Sequence, residues 1–531
     1  MAAFQTLISD SIKKEMPVDG IFHALACIII IRTFFEMLLG GGHSLQFNPD
    51  FYINIVVYAH IYLSWLCVFL TASILLTLFL KLKYIDSLKL VLLFSPLIIM
   101  VPLFDLVFTK GNAGQILYSF KMDTLLYTYV NGFNPFAEIS TATIGVRVEV
   151  LTAFLASFYV SYYVFKTRLL RAILLSLALY TTVFFYGYLP AIYMMCGIDF
   201  YSLSGHAVTA ITKSHKFLYM YLAPTVLIFL TVPWLLYKED KEKLKTAVSF
   251  LYPSRWLIYI FLFAFGFLLL AYQSSLYPRI LNMEDMMKFF SALISSTLLF
   301  IHAKILNDIN DIEIDRISNK ERPIAKNAVP AGYAGRIGNI LLLPSLAFAV
   351  AAEISFIFYW LFILAASYVY SAQPLRLRRY YPIGHLILSA IGVSVFLAGG
   401  ALVKSYEVYS TLQHREVLLY VFLASFFLSH VKDFKDTEGD RAGGVINILN
   451  YIRLPKTMAI IFVAGFCLSV YLIMRLLDIE GITTIVSVLF FFAASVFYIV
   501  TSKKIKQLEK LLYFSLVFLV YLAVVWLCQI T

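Results

Sequence analysis

Apolar runs of roughly 20 residues, long enough for an α-helix to cross a hydrocarbon core of about 30 Å, recur from one end of this 531-residue sequence to the other. Lipid offers the backbone no hydrogen-bond partners, so only helices and closed barrels can lie within it. Runs such as 75–80 and 261–270 are continuously apolar rather than alternating, which selects helices. Composition agrees: 61% of residues are hydrophobic and only 14% charged, where a soluble domain carries about 25% charged. The expected fold class is therefore an all-α polytopic membrane protein.

The runs number about fifteen, in two blocks. Six lie at about 21–39, 52–80, 88–108, 150–165, 169–196 and 217–237. A charged linker, Lys238–Lys245, precedes nine more at about 256–276, 286–306, 337–352, 354–371, 383–403, 416–432, 456–475, 482–500 and 511–529. Basic residues test this count. With the N-terminus inside, 31 lysines and arginines fall on the inner face and 10 on the outer, and Arg32 alone sits within a span. The net charge of +11 is thus a topology signal and not a nucleic-acid footprint. The N-terminus and the inner loops are expected on the cytoplasmic face. The five cysteines are scattered without a C-x-x-C pair, which argues against a disulfide framework or a zinc site.

Two acidic segments carry the chemistry. One is Asn307-Asp308-Ile309-Asn310-Asp311-Ile312-Glu313-Ile314-Asp315, the other Lys432-Asp433-Phe434-Lys435-Asp436-Thr437-Glu438-Gly439-Asp440. Both read D-x-x-D-x-E-x-D, and they follow the second and sixth runs of the second block at its inner face. Helical periodicity puts Asp308, Asp311 and Asp315 on one face, and likewise Asp433, Asp436 and Asp440. Glu313 and Glu438 point elsewhere. Six converging carboxylates repel one another unless cations lie between them, and hard oxygen ligands select Mg²⁺ or Ca²⁺. Mg²⁺ completes its shell with water and phosphate oxygens, so a diphosphate is the expected ligand. Arg322, Arg376 and Arg378 in the adjacent loops suit phosphate oxygens, with Lys326 and Lys432 as further candidates. Taken singly, such an acidic run reads as a solvated helix end; two copies with one spacing and basic loops behind both read as a site. His302 and His430, which precede the motifs, read as packing residues, and Gly399-Gly400 as a close helix contact.

At these residues the sequence resembles the UbiA-type intramembrane prenyltransferase superfamily, over about residues 250–531. The family's N-D-x-x-D-x-x-x-D followed by R-P is matched by Asn307, Asp308, Asp311, Asp315, Arg322 and Pro323. Its D-x-x-D-x-x-x-D is matched by Asp433, Asp436 and Asp440. Its Y-S/T…P-x-R-L-K loop looks like Tyr370, Ser371, Pro374, Arg376, Leu377 and Arg378, with arginine in place of lysine. Asn327 stands where the family usually has glycine, and Asn447-Ile448-Leu449 where a T-L pair is common. The resemblance implies a UbiA-like nine-helix domain over 246–531, joined to an accessory six-helix domain over 1–245 that resembles no named family. It also implies transfer of an isoprenyl group from a polyprenyl diphosphate to a hydrophobic acceptor in the bilayer, an aromatic ring or a glycerol-phosphate lipid. Asp308, Asp311, Asp433 and Asp436 would ligate two Mg²⁺ ions. Asn307, Asp315 and Asp440 would assist, and Tyr370 and Ser371 would face the acceptor or the carbocation. No nucleic-acid partner is expected.

Two rival readings remain. One superfamily branch transfers a phosphoribosyl group onto a polyprenyl phosphate; its H-P-x-K insertion is missing from 316–321. The other is a transporter or flippase with a degenerate prenyltransferase-like half. For it, Arg32 and Glu36 would form an intramembrane pair, and the outward loop 109–149, with Arg147 and Glu149, would cap a site.

Overall fold

The computed structural model describes residues 2–39, 51–109, 125–196, 220–274, 283–404 and 408–530, apart from positions 135, 138, 140–142, 240, 242–249, 251–252, 409–411, 414, 447, 452–453 and 480. All regular structure among these residues is helical. They divide into two compact units, Met1–Leu244 and Lys245–Thr531. Among the described residues thirteen helices are long and apolar enough to cross a membrane, an all-α multi-pass architecture. The difference from fifteen has a simple origin. The expected span at 217–237 contains a shorter apolar stretch, Leu222–Leu235. The one at 416–432 is a helix, Glu416–Asp433, that carries Glu416, Lys432 and Asp433 at its ends.

In the first unit the chain forms α1 (Ala2–Lys13), α2 (Val18–Leu39), α3 (Phe51–Leu80), α4 (Tyr84–Phe94), α5 (Met100–Thr109), α6 (Leu125–Asn131), α7 (Ile144–Tyr159), α8 (Leu169–Gly187), α9 (Leu189–Met195) and α10 (Leu222–Glu239). The expected loop 109–149 is corrected here. It contains α6, and α7 begins at Ile144 rather than near 150, which places Arg147 and Glu149 inside a helix, both buried. The cause is a strong N-cap. Thr143 accepts from the Val146 amide, and Asp105 accepts from the Gly145 amide and the Thr143 hydroxyl, both at 2.7 Å. A carboxylate at the positive end of a helix dipole is favourably placed. Arg147 reaches back to the carbonyls of Asn134 and Ala137 and ties the preceding segment down. Buried Arg32 lies 5.4 Å from the Trp65 ring and interacts electrostatically with Glu149 on α7. The Glu36 side chain lies outside the described residues, as do 110–124 and most of the Lys238–Lys245 linker.

The second unit comprises α11 (Pro253–Gln273), α12 (Met283–Asn310), α13 (Ile312–Ser318), α14 (Ala331–Ala352), α15 (Ile354–Ser371), α16 (Ile383–Lys404), α17 (Glu416–Asp433), α18 (Thr437–Ala442), α19 (Pro455–Leu476), α20 (Ile482–Thr501) and α21 (Leu511–Ile530). α12 packs along α14, α11 along α16, and α17 along α19. Buried aromatics fill the interior, and the Phe491 and Phe518 rings stack at 4.3 Å. Reciprocal glycines set the α11–α16 crossing. A Cβ at Gly399 would lie 2.0 Å from the Phe263 carbonyl, and one at Gly266 1.9 Å from that of Phe396. Small residues of this kind let backbones meet in a lipid environment, where apolar burial alone does not drive association. Gly399→Val should therefore destabilise the second unit by at least about 1–3 kcal/mol through overpacking. A lowered thermal transition in detergent, with no comparable change for a lipid-facing Leu489→Val control, is the expected outcome.

Candidate active site

Both acidic motifs begin as the ends of long helices and continue into short ones. α12 stops at Asn310, Asp311 leaves helical geometry with φ −110° and ψ 13°, and α13 resumes at Ile312. α17 likewise gives way to α18 across residues 434–436. Neither aspartate triad thus lies on one uninterrupted helix, which corrects the periodicity argument. The phase of the face survives because the hydrogen bonding continues through the break. The Asp311 amide donates to the Asn307 carbonyl, Asp315 to Asp311 and Asn319 to Asp315, at 3.0, 2.8 and 2.8 Å. Asp308, Asp311 and Asp315 are all buried at 1–2% exposure, as are Asp436 and Asp440 at 6% and 2%. Glu313 and Glu438 are exposed, and Glu438 pairs with Lys506 at 3.0 Å.

Gly439 allows the two short helices to touch. Its amide donates to the Ser318 hydroxyl at 2.7 Å, and a Cβ there would lie 2.5 Å from the Ile314 carbonyl. The motifs are then joined through side chains. Asn319 donates to Asp315 at 3.0 Å and to Asp436 at 2.6 Å. Arg378 pairs with Asp311 of the first motif and, at 3.1 Å, with Asp440 of the second.

Each buried carboxylate has a cationic or amide partner. Asp308 is held by Lys304 and by Arg322 at 3.0 Å, and Arg322 also pairs with Asp315. Asp311 accepts from Arg376 at 3.0 Å and from the Asn307 amide at 2.7 Å. The arginines expected to face phosphate thus lie against the aspartates. Arg376 adopts a left-handed backbone, φ 39°, which turns its guanidinium toward Asp311 and the Asn310 carbonyl at 2.5 Å. Its buried Nε has no protein partner. Burial pushes the Asp315 carboxyl above its ordinary range, and Arg322 only partly offsets this. At Asp436 burial acts in the same sense, but Arg322, Arg255, Asn319 and Arg378 together overcome it and hold the group at about 2.

Asp433 stands at the edge of this network. His385 Nε2 lies 3.4 Å from its Oδ2 and Lys432 Nζ 3.9 Å from its Oδ1. Lys432 donates to the Tyr370 hydroxyl at 2.7 Å. Both side chains, together with Asn307, Ser371, Lys304 and Arg255, line the inner end of an apolar cavity between the helices of this unit. Lys326 is exposed and is not brought to the carboxylates. Asn327, beside it, does adopt positive φ, 58°.

Four residues were missed from the sequence. Lys304 sits one turn before Asp308, and Asn319 one turn after Asp315, so extending the motif by i±4 would have found both. Arg255, which meets Glu509 at 3.4 Å, and His385 approach from distant helices and leave no local signal. His430 stacks on His385 at 3.7 Å and hydrogen-bonds the Phe426 carbonyl, and buried His302 packs near Tyr368.

The Arg378 bridge gives a direct test. Removing one partner of a buried ion pair strands a charge, at a cost of about 3–5 kcal/mol. Arg378→Leu should lower the thermal stability of the purified protein by that order, whereas Lys326→Leu, at an exposed position, should change it by less than about 0.5 kcal/mol.

Residues 261–523 match the family model described as the UbiA prenyltransferase family. Among curated proteins, the chain is 31% identical over 149 residues to the digeranylgeranylglyceryl phosphate synthase of Methanocaldococcus jannaschii, which covers 28% of this chain and 49% of that protein. It is 30% identical over 197 residues to the Methanococcus aeolicus enzyme of the same name, covering 36% of this chain and 64% of that one. The chain thus spans between about half and two thirds of the length of these relatives. Among solved structures, a UbiA homolog from Archaeoglobus fulgidus bound to GPP and Mg²⁺ aligns with a TM-score of 0.40 at 17% identity, over 54% of this chain and 99% of that one. Residues 261–523, just under half of the chain, thus carry the match to the UbiA prenyltransferase family.

Proposed function

We propose that residues 246–531 transfer an isoprenyl group from a polyprenyl diphosphate to a hydrophobic acceptor within the membrane, and that residues 1–245 form an accessory transmembrane domain. The observation that carries this reading is the position of the two joined aspartate motifs beside the inner end of an apolar cavity. A charged head and a long apolar tail are what such a site can hold at once. The acceptor we infer is a lipid bearing glyceryl phosphate, as the names of the matched relatives suggest. The basic inner loops place the N-terminus and the site on the cytoplasmic side in this proposal.

The carboxylates suit Mg²⁺. Among the described residues no group of three histidine, cysteine, aspartate or glutamate side chains is arranged to hold an ion. Mg²⁺ asks for less, one or two carboxylates with phosphate and water completing its shell. Asp308 and Asp311 would hold one ion, Asp433 and Asp436 a second, with Asn307, Asp315 and Asp440 bracing them. When bound, such an ion supplies Lewis-acid neutralisation of the charge that gathers on a departing diphosphate.

The chain's own residues do the rest. Arg322, Arg376 and Arg378 present guanidinium N–H groups beside the aspartates, and the unpartnered Nε of Arg376 is a donor that a phosphate oxygen would satisfy. Lys432 adds a point charge at the cavity mouth. Tyr370 and Ser371 line the cavity where the allylic carbon would lie. The apolar walls below exclude water from the cationic centre that ionisation creates.

Two outcomes test this reading. Asp308→Ala and Asp433→Ala should each lower prenyl transfer by at least about a hundred-fold, since charge stabilisation worth several kcal/mol is lost, while Glu313→Ala, at an exposed position, retains most activity. Chelator treatment of membranes should abolish transfer and added Mg²⁺ restore it; undiminished turnover in chelator would overturn the two-motif site.

A further inference from the structure

The apolar cavity has a charged end and an apolar far end, and its depth can be read from the helices that line it. Among the described residues, Arg255, Lys304 and Lys432 are the only charged ones in its lining, and all three belong to the inner end. On α21 the lining begins at Leu512, just beyond Glu509, which meets both Arg255 and Lys435 beside the second motif. It ends at Trp526. These residues are fourteen positions apart, about 21 Å along a helix at 1.5 Å per residue. On α12 the lining runs from Asn307 back to Leu293, the same interval and so about the same depth. These two helices run in opposite chain directions and give one length, while the lining on α15, from Ser371 to Phe356, gives about 22 Å and that on α11, from Arg255 to Phe265, about 15 Å.

Trp526 stands at the far end. Its side chain is 1% exposed and its ring packs edge-on against Phe265 at 6.1 Å and Tyr272 at 5.8 Å. Phe265 lines the cavity too, whereas Tyr272 does not. The indole Nε1 is buried with no protein partner, an uncommon state for a buried donor. A carbon–carbon double bond at the floor would offer that N–H a weak π acceptor.

Resting on the prenyl-diphosphate reading above, we propose that Trp526 is the floor of a length gauge that selects donors of about four isoprene units. An extended isoprene unit spans four main-chain bonds, one more than a peptide residue, and so measures roughly 4.5 Å. Four such units reach about 18 Å into a depth of about 21 Å, a fifth overruns it at the indole, and two leave the lower half empty. Ala523, one helical turn nearer the mouth on the same face, also lines the cavity. The two positions should therefore act in opposite senses, Trp526 as a floor that can be removed and Ala523 as a place where a higher floor can be built.

The experiment measures dissociation constants of the full-length protein in detergent with Mg²⁺, using thiolodiphosphate analogues of two to six isoprene units. The wild type should bind the four-unit analogue best and the five-unit analogue roughly ten-fold more weakly, the discrimination an apolar pocket achieves against one extra group. Trp526→Ala, with Trp526→Leu as the alternative if the smaller residue prevents folding, should erase that ten-fold gap. Ala523→Phe should move the optimum to three units or fewer. An unchanged length profile in the folded Trp526 and Ala523 variants overturns the gauge while leaving prenyl-diphosphate binding intact. Failure of the wild type to bind any analogue overturns both the gauge and the reading on which it rests.

Discussion

Burial of like charge is the constraint on which the second unit is organised. Five aspartates from two separate stretches of chain are almost completely removed from solvent, and none could remain ionised there without a partner. The answer is a set of shared partners rather than private pairs. Arg322 serves Asp308 and Asp315, Arg378 serves Asp311 and Asp440, and Asn319 serves Asp315 and Asp436. Because two of these three connectors cross between motifs, the network holds α13 and α18 together as well as neutralising them. Asp436 shows the balance: burial disfavours its charge, yet the surrounding guanidinium groups more than compensate.

Such a network is a high-stakes arrangement, since its stability depends on every member. It also suits a site that must exchange partners. A carboxylate already desolvated and flanked by guanidinium groups needs little rearrangement to accept a cation and release an arginine to an anion. The strained backbone at Arg376 and the unpartnered Nε of its side chain lie where the proposed exchange would take place. In the proposed reaction the aspartates and arginines would thus be two halves of one clamp. The cavity supplies the opposite environment: its walls are apolar and aromatic, and its charged lining residues are all cations. The proposed donor, anionic at one end and apolar along the rest, matches both environments.

The first unit uses buried charge differently. Asp105 caps α7, and Arg147 collects the carbonyls of the preceding segment. Arg32 faces Trp65 and is coupled to Glu149. These side chains satisfy backbone groups and one another within a helical frame, a structural use of charge within a membrane-embedded unit.

Helix class, approximate spans and the two acidic motifs were legible in the sequence because each is a local property. A 20-residue apolar run is long enough to cross lipid whatever surrounds it, and spacings of three and four share a helical face whether or not the helix later breaks at Asp311. Residue type permitted the positive φ of Asn327 and the close contact at Gly399. Only the tertiary structure decided which groups meet. Arg255 and His385 come from helices far along the chain, and the positions of Arg322 and Arg378 against aspartates depend on how α13, α18 and the 372–382 loop converge. The start of α7 at Ile144 turned on Asp105, forty residues away, accepting two hydrogen bonds at its end. The sequence determined the charges and their spacing; the pairing of those charges required the fold, because partner choice in a buried network is set by distances between elements that no local pattern records.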